Sequence, residues 1–308
     1  MNKSIRRRAG LSLTAVAVIA AVSACGGEDA KNGAGTKLQS GAQLTKVLKA
    51  SYTKTEEAKS AKVDMVMTMP DSKELGGGGE MKLSGVMGWD PTLMDMTMSG
   101  DAFAAAPGAP EQIRMMWLDN VMYLDAGAEL AKRMDGKRWL KMDVGAAAEM
   151  SGDAALQKQM TNGLDNIDQS PAEQLALLLE SKSIKHAGPV KLDGVDTQHY
   201  KGTISVAELV AANESIVLDK RERARLVKDL KEAGITSYDA QVWVNKNGLP
   251  VKTDISMKTK EGPISMVTNY SDYGAKASVT PPPADRTFDL AQMLKKAAEA
   301  MKKAGAGL

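Results

Sequence analysis

The side chains with the most distinctive chemistry in this chain are thioethers. In "VDMVMTMP", which begins at Val63, and "LMDMTMS", which begins at Leu93, methionine recurs at every second position: Met65, Met67, Met69, then Met94, Met96, Met98. The chain holds 20 Met against 2 Phe and 4 Trp. Three kinds of chemistry could use them. Thioethers are soft ligands that select Cu(I), but same-face strand residues lie about 6.5–7 Å apart. Copper sites also draw on a nearby His or Cys, and His186, His199 and Cys25 are all distant in sequence, so no metal site is expected. An ordinary core is the second use, since Met is commonly buried; a rigid core, however, favours Leu, Ile, Val and Phe, whose rotamers are better defined. The third is a deformable cavity for an acyl chain or similar guest, which suits adaptable Met walls. Its expected lining is Val63, Met65, Met67, Met69, Met81, Leu83, Met87, Met94, Met96 and Met98, with Ile255, Met257, Ile264 and Met266 closing the far side.

Signatures of catalysis are missing. The sequence has no Gly-x-Ser-x-Gly elbow, His-Glu-x-x-His pair, Walker loop or Rossmann glycine pattern, so no enzyme activity and no cofactor are expected. His186 and His199 read as surface or capping residues. The N-terminus is more informative. A cationic head (Lys3, Arg6, Arg7, Arg8) precedes an apolar run from Leu11 to Val22, the order of an export signal and too short for a comfortable membrane span. It exits through Val22-Ser23-Ala24-Cys25, which resembles a lipobox, and Cys25 is the chain's single cysteine. Residues 1–24 are thus expected to be a lipoprotein signal peptide and Cys25 the lipidation site, anchoring a monomer to the extracytoplasmic face of the cell membrane. With no second cysteine, an internal disulfide is excluded. Removing residues 1–24 takes four of the 40 basic residues and none of the 38 acidic ones. The remainder is near neutral, which gives no reason to expect nucleic acid as a partner.

These residues need elements to position them. Residues 25–43, rich in Gly, Ala and polar side chains, read as a flexible tether. Apolar spacing from Leu44 to Ser60 predicts a first helix, after which the period drops to two and predicts successive antiparallel strands with one oily face each. Tight hairpins are expected at Asp119-Asn120, Asp193-Gly194, Asn247-Gly248 and Glu261-Gly262. Pro250 and Pro263 fall where strands should start. Helices are expected in "SPAEQLALLLES", "SVAELVAAN" and "KRERARLVKDLKEAG", the last ending at Gly234. A final amphipathic helix is expected in "FDLAQMLKKAAEAMKK". Strands followed by helices among hairpins indicate an α+β fold. Around Met115, Met116, Trp117 and Leu118 both strand faces are apolar, and the inward face is open.

The lipobox, "SYTKTEEAKSAKVDMVM", "MMWLDNVMYL" with "GKRWLKMD", and "AQVWVNKNGLPVKTDISM" leading to "NYSDYG" and "VTPPP" together resemble the LppX/LprG-type lipoproteins of actinobacteria. The resemblance covers residues 44–284. It implies a LolA-like architecture: an antiparallel half-barrel sheet with helices covering its concave face, here followed by a C-terminal helix over 285–308. It further implies a carrier or holder of lipid or lipidated molecules at the cell envelope. The Met-heavy strands, the loop from Phe103 to Pro110 and the C-terminal tail exceed that pattern. A protein-interaction or sensory lipoprotein with a filled core is the alternative.

Overall fold

The computed structural model describes residue 39 and residues 41–293, except 72–77, 102–109, 126, 144–145, 147–169, 182, 213–219, 233 and 277–278. Cys25, the signal and most of the tether lie outside the described residues, as do the 103–109 loop and the tail beyond Met293.

The chain enters through helix α1 (Gly41–Ala58), whose buried stripe of Leu44, Leu48, Ser51 and Thr55 follows the helical repeat. The helix ends two residues earlier than the apolar spacing predicts. Lys59 takes a left-handed conformation, φ 62°, and Ser60 already belongs to the first strand. The meander then runs β1 (Ser60–Met69), β2 (Gly79–Trp89), β3 (Thr92–Gly100), β4 (Gln112–Leu118), β5 (Val121–Asp125), helix α2 (Gly127–Arg133) and β6 (Trp139–Asp143). Helix α3 (Pro171–Glu180) leads to β7 (Lys185–Leu192) and β8 (Val195–Ser205). Helices α4 (Val206–Ala212) and α5 (Lys220–Glu232) precede β9 (Ser237–Asn245), β10 (Pro250–Lys258) and β11 (Pro263–Ser271). A short 3-10 turn (Ala284–Arg286) delivers β12 (Thr287–Asp289).

All these strands form one sheet of 12 strands, ordered β12-β6-β5-β4-β3-β2-β1-β11-β10-β9-β8-β7. The sheet is open and curled, and every neighbouring pair is antiparallel except β12 on β6. It is an α+β half-barrel. Two meanders meet at its centre, where β1 pairs with β11, Val63 opposite Tyr270.

Turn chemistry explains the hairpins. Asp119 and Asn120 (φ 50° and 61°) and Asp193 and Gly194 (φ 47° and 84°) make the expected two-residue turns. The other two differ. Gly248 N–H donates to Asn245 C=O and only Gly248 has positive φ, so Lys246 and Asn247 form the turn and the glycine follows it. Thr259 and Gly262 exchange backbone hydrogen bonds around Lys260-Glu261, one residue earlier than expected. Pro250 and Pro263 do open their strands. Helix α4 carries a reciprocal cap: Glu208 N–H donates to Ser205 Oγ, and Ser205 N–H to Glu208 Oε2 (2.8 Å). The start of the expected terminal helix is corrected. Phe288 sits in β12, and the helical turn begins at Leu290, with Gln292 N–H donating to Asp289 Oδ1.

Candidate functional site: one apolar face of the sheet

Directly paired strand residues share a face, so the register assigns the methionines. Met67 pairs with Met81 on β2 and Met266 on β11; Met65 pairs with Leu83 and Thr268. Leu83 then faces Met98, and Met87 faces Met94. On the other side, Met266 pairs with Ile255 and Ile264 with Met257. Val63, Met69 and Met96 have the same parity. Every residue named as lining therefore projects from one face, across β10-β11-β1-β2-β3. The face left open in β4 also resolves. Trp117 and Met115 pair with Met94 and Met96, so they join it, whereas Met116 points to the opposite side and is buried there.

Helices cover one half of this face. Leu44 and Leu48 of α1 and Leu175 and Leu178 of α3 pack on Tyr200, Ile204, Ala240, Val242 and Val244, with Ile255 against them. A second cluster gathers Val63, Met94, Met96, Trp117 and Tyr270, with Met65, Leu83 and Met87 packed around it. Met67, Met69, Met81, Met98, Met257, Ile264 and Met266 belong to neither cluster and are only half-buried. They lie toward one end of the strands, where the apolar face is only partly covered.

In β1–β6 and β9–β12, every Asp, Glu, Lys and Arg alternates onto the opposite face. Some are ion-paired there, as Arg114 is with Asp95 (2.6 Å) and Asp125 with Arg138, the residue before β6 (2.7 Å). The apolar face keeps a few neutral polar groups. His186, expected at the surface, is 5% exposed on this face: Gln39 N–H donates to Nδ1 (3.0 Å), which leaves Nε2 to donate to Gln198 Oε1 (2.7 Å). Its ring lies against Tyr200. His199 points the other way, stacked on Trp243 at 4.4 Å, with Lys252 above the same indole. Burial holds its imidazole below the ordinary value, against the raising effect of its bond to Gln241. Tyr270 and Tyr273 are pushed up by burial, so both remain protonated phenols. Tyr273 OH donates to Pro250 C=O (2.8 Å). Among the described residues no group of His, Cys, Asp and Glu is placed to hold a metal.

A separate cleft of about 690 Å³ lies where β12 joins the sheet, bounded by Tyr123, Lys141, Pro282, Asp289 and Met293. Lys141 Nζ to Asp289 Oδ2 (3.0 Å) ties β12 to β6 across it. Burial works against ionising Asp289, but Gln292 N–H and Lys141 outweigh it and hold the carboxyl below its ordinary range. Because the folded carboxyl is the stronger acid, its contribution is present above the unfolded value and is lost as pH falls through the folded one. The lysine is raised by the same bond, so its contribution fades only when strongly alkaline. Acidification should release β12 first: amide protection at 287–289, taken relative to the intrinsic exchange rate at each pH, should fall at low pH in the wild type, and Asp289→Asn should show that loss of protection already at neutral pH.

No protein-family model matches the chain. Among curated proteins it is 24% identical over 247 residues to a candidate lipoprotein of Streptomyces coelicolor, covering 78% of this chain and 73% of that one. Among solved structures it is similar to the lipoprotein LppX of Mycobacterium tuberculosis (14% identity, TM-score 0.40, 76% of this chain and 98% of that one). It is similar too to LprF of Mycobacterium bovis (14% identity, TM-score 0.44, 79% and 98%). A nearer curated relative is an uncharacterised 31.2 kDa protein encoded between rplA and rplJ in Streptomyces griseus, 30% identical over 256 residues that make up 80% of this chain and 79% of the relative. On that identity and coverage, the chain belongs to the family of the Streptomyces griseus protein.

Proposed function

We propose that this protein is a membrane-tethered, extracytoplasmic lipoprotein that holds lipids or other hydrophobic molecules against its methionine face and catalyses no reaction. Residues 1–24 serve as the export signal and acylated Cys25 as the anchor. Residues 25–43 tether a monomeric body that spans 44–284, and the tail over 285–308 follows it. The observation that carries the reading is the half-buried row of Met67, Met81 and Met266, side by side across β2, β1 and β11, on a face to which strands β1–β6 and β9–β12 turn no charged side chain. Each methylene that leaves water for such a surface contributes about 0.8 kcal/mol, so one long acyl chain is held without strong polar contacts. Unbranched thioether side chains adapt to different guests. The lipoprotein designation of the Streptomyces coelicolor relative agrees with the anchor.

The test is extraction. The chain secreted with Cys25→Ala and purified without detergent should yield lipid to organic solvent in near-stoichiometric amount by mass spectrometry. The stripped protein should melt higher when fatty acyl lipid is restored, since a ligand that binds only the folded state stabilises it.

A second reading has its own support: Trp117 and Tyr270 already fill part of the face beside Val63, Met94 and Met96. If the protein's own side chains fill the rest, this is a protein-binding or sensory lipoprotein. That form yields no lipid and melts at one temperature with or without it.

A further inference from the structure

The interior carries hydroxyls that an oily surface does not require. Thr253 of β10 and Thr268 of β11 are cross-strand partners on the apolar face, 2% and 0% exposed. Neither hydroxyl has a hydrogen-bonding partner. Both lie near enough to the Tyr270 phenol to favour its ionised form, yet neither reaches it at the distance and angle of a hydrogen bond. Tyr270 OH donates instead to Gln174 Oε1 on α3, over a long 3.4 Å. A buried polar group without a partner is costly, and native interiors rarely keep two side by side. Their position is specific. Thr268 pairs with Met65, a single side-chain row in from Met67 and Met266, so the hydroxyls lie on the same face in the row next to the half-buried methionines.

The charge pattern says what such donors can take. No lysine or arginine of β1–β6 or β9–β12 projects from this face. A carboxylate lodged there would lose its hydration with no cation from these strands to replace it. A neutral carbonyl oxygen has two lone pairs, costs far less to desolvate and can accept from both threonines.

We propose that Thr253 and Thr268, with Tyr270 beside them, seat the carbonyl oxygen of a neutral acyl ester, so that the methionine face selects esterified lipid over free fatty acid. This inference rests on the proposed function and narrows its ligand class. Thr→Val preserves side-chain shape while removing the hydroxyl, and it should raise the melting temperature of the ligand-free protein, because unpartnered hydroxyls are lost.

The experiment titrates methyl palmitate, palmitate at pH 8 and hexadecane into the Cys25→Ala chain, with and without Thr253→Val/Thr268→Val. Two net hydrogen bonds correspond to a change of about ten-fold or more. The double variant should weaken methyl palmitate by that factor and leave hexadecane unchanged, and the parent should bind methyl palmitate more tightly than palmitate. If hexadecane binds but the variant holds methyl palmitate as tightly as the parent does, the seat is overturned and the lipid-binding reading stands. Palmitate bound as tightly as its ester overturns the selection for neutral ligands, a comparison that needs no variant. Should the double variant misfold, the single variants Thr253→Val and Thr268→Val carry the same comparison. Binding of none of the three probes overturns the lipid-binding reading and the seat with it.

Discussion

Met96→Asp should remove a large part of the fold's stability, whereas Met67→Asp should leave the fold intact and empty it of lipid. The two methionines share a face and a sequence pattern, but not an environment. Met96 is 3% exposed and packed among Val63, Met94, Trp117 and Tyr270. A carboxylate there loses its water and gains no cation, and the contacts of the thioether are lost as well. The combined cost is about 4–5 kcal/mol, a large part of the 5–15 kcal/mol typical of a domain. Burial would raise the pKa of the new carboxyl, so stability should be regained as pH falls and the group is protonated. Met67, flanked by Met81 and Met266 at the half-buried end, can turn a carboxylate toward solvent. Urea titration of both variants, with lipid extraction of each, separates the cases: equal loss of stability, or full lipid occupancy in Met67→Asp, would count against the division of the face into core and lining.

Gly85→Val should be the most damaging change on the sheet that touches no apolar contact. Gly85 lies between Val63 and Met96, with φ 157°. A Cβ there would stand 2.0 Å from Asp95 C=O and 2.9 Å from Met96 Cα, both backbone atoms of β3. No rotamer change relieves such a clash; β2 and β3 would have to part. The expected loss is on the order of 3 kcal/mol or more. The measurement is the shift in urea midpoint relative to Gly194→Ala, where a Cβ meets nothing within 4 Å and the cost is limited to the strained φ of 84°. A midpoint for Gly85→Val no lower than for Gly194→Ala would mean that β2 and β3 can separate there at little cost.

Much of this architecture is legible in the sequence because polar residues alternate with apolar ones. Lys62 and Asp64 between Ala61, Val63 and Met65, or Asp95 and Thr97 between Met94, Met96 and Met98, leave one choice of inward face. That alternation fails at Met115-Met116-Trp117-Leu118, where period two exists but carries no sign; pairing to β3 decides it. His186, read from the sequence as a surface or capping residue, proves buried for a related reason. Between Lys185 and Ala187 it looks peripheral, and only the fold brings Gln39 and Gln198 to its two nitrogens. β12 has three residues, too few for any periodic signal, and is recruited by β6 through tertiary pairing. As for the candidate site, the apolar face of the sheet could be read from residue type and spacing. The threonine pair could not, since Thr alternates naturally in strands, and nothing in the spelling says that its hydroxyls go without partners.

The meeting of β1 with β11 sets a schedule for how the chain becomes itself. Val63 must find Tyr270 across most of the length of the body, so the middle seam of the sheet is the last to close, at a high entropic cost. Until β11 arrives, β1 is a bare strand border with three methionines on one side, the kind of template on which unfinished chains adhere to one another. A chain truncated before residue 263 should therefore be sticky rather than merely weak, and newly made copies should aggregate most readily before their last hairpin has formed.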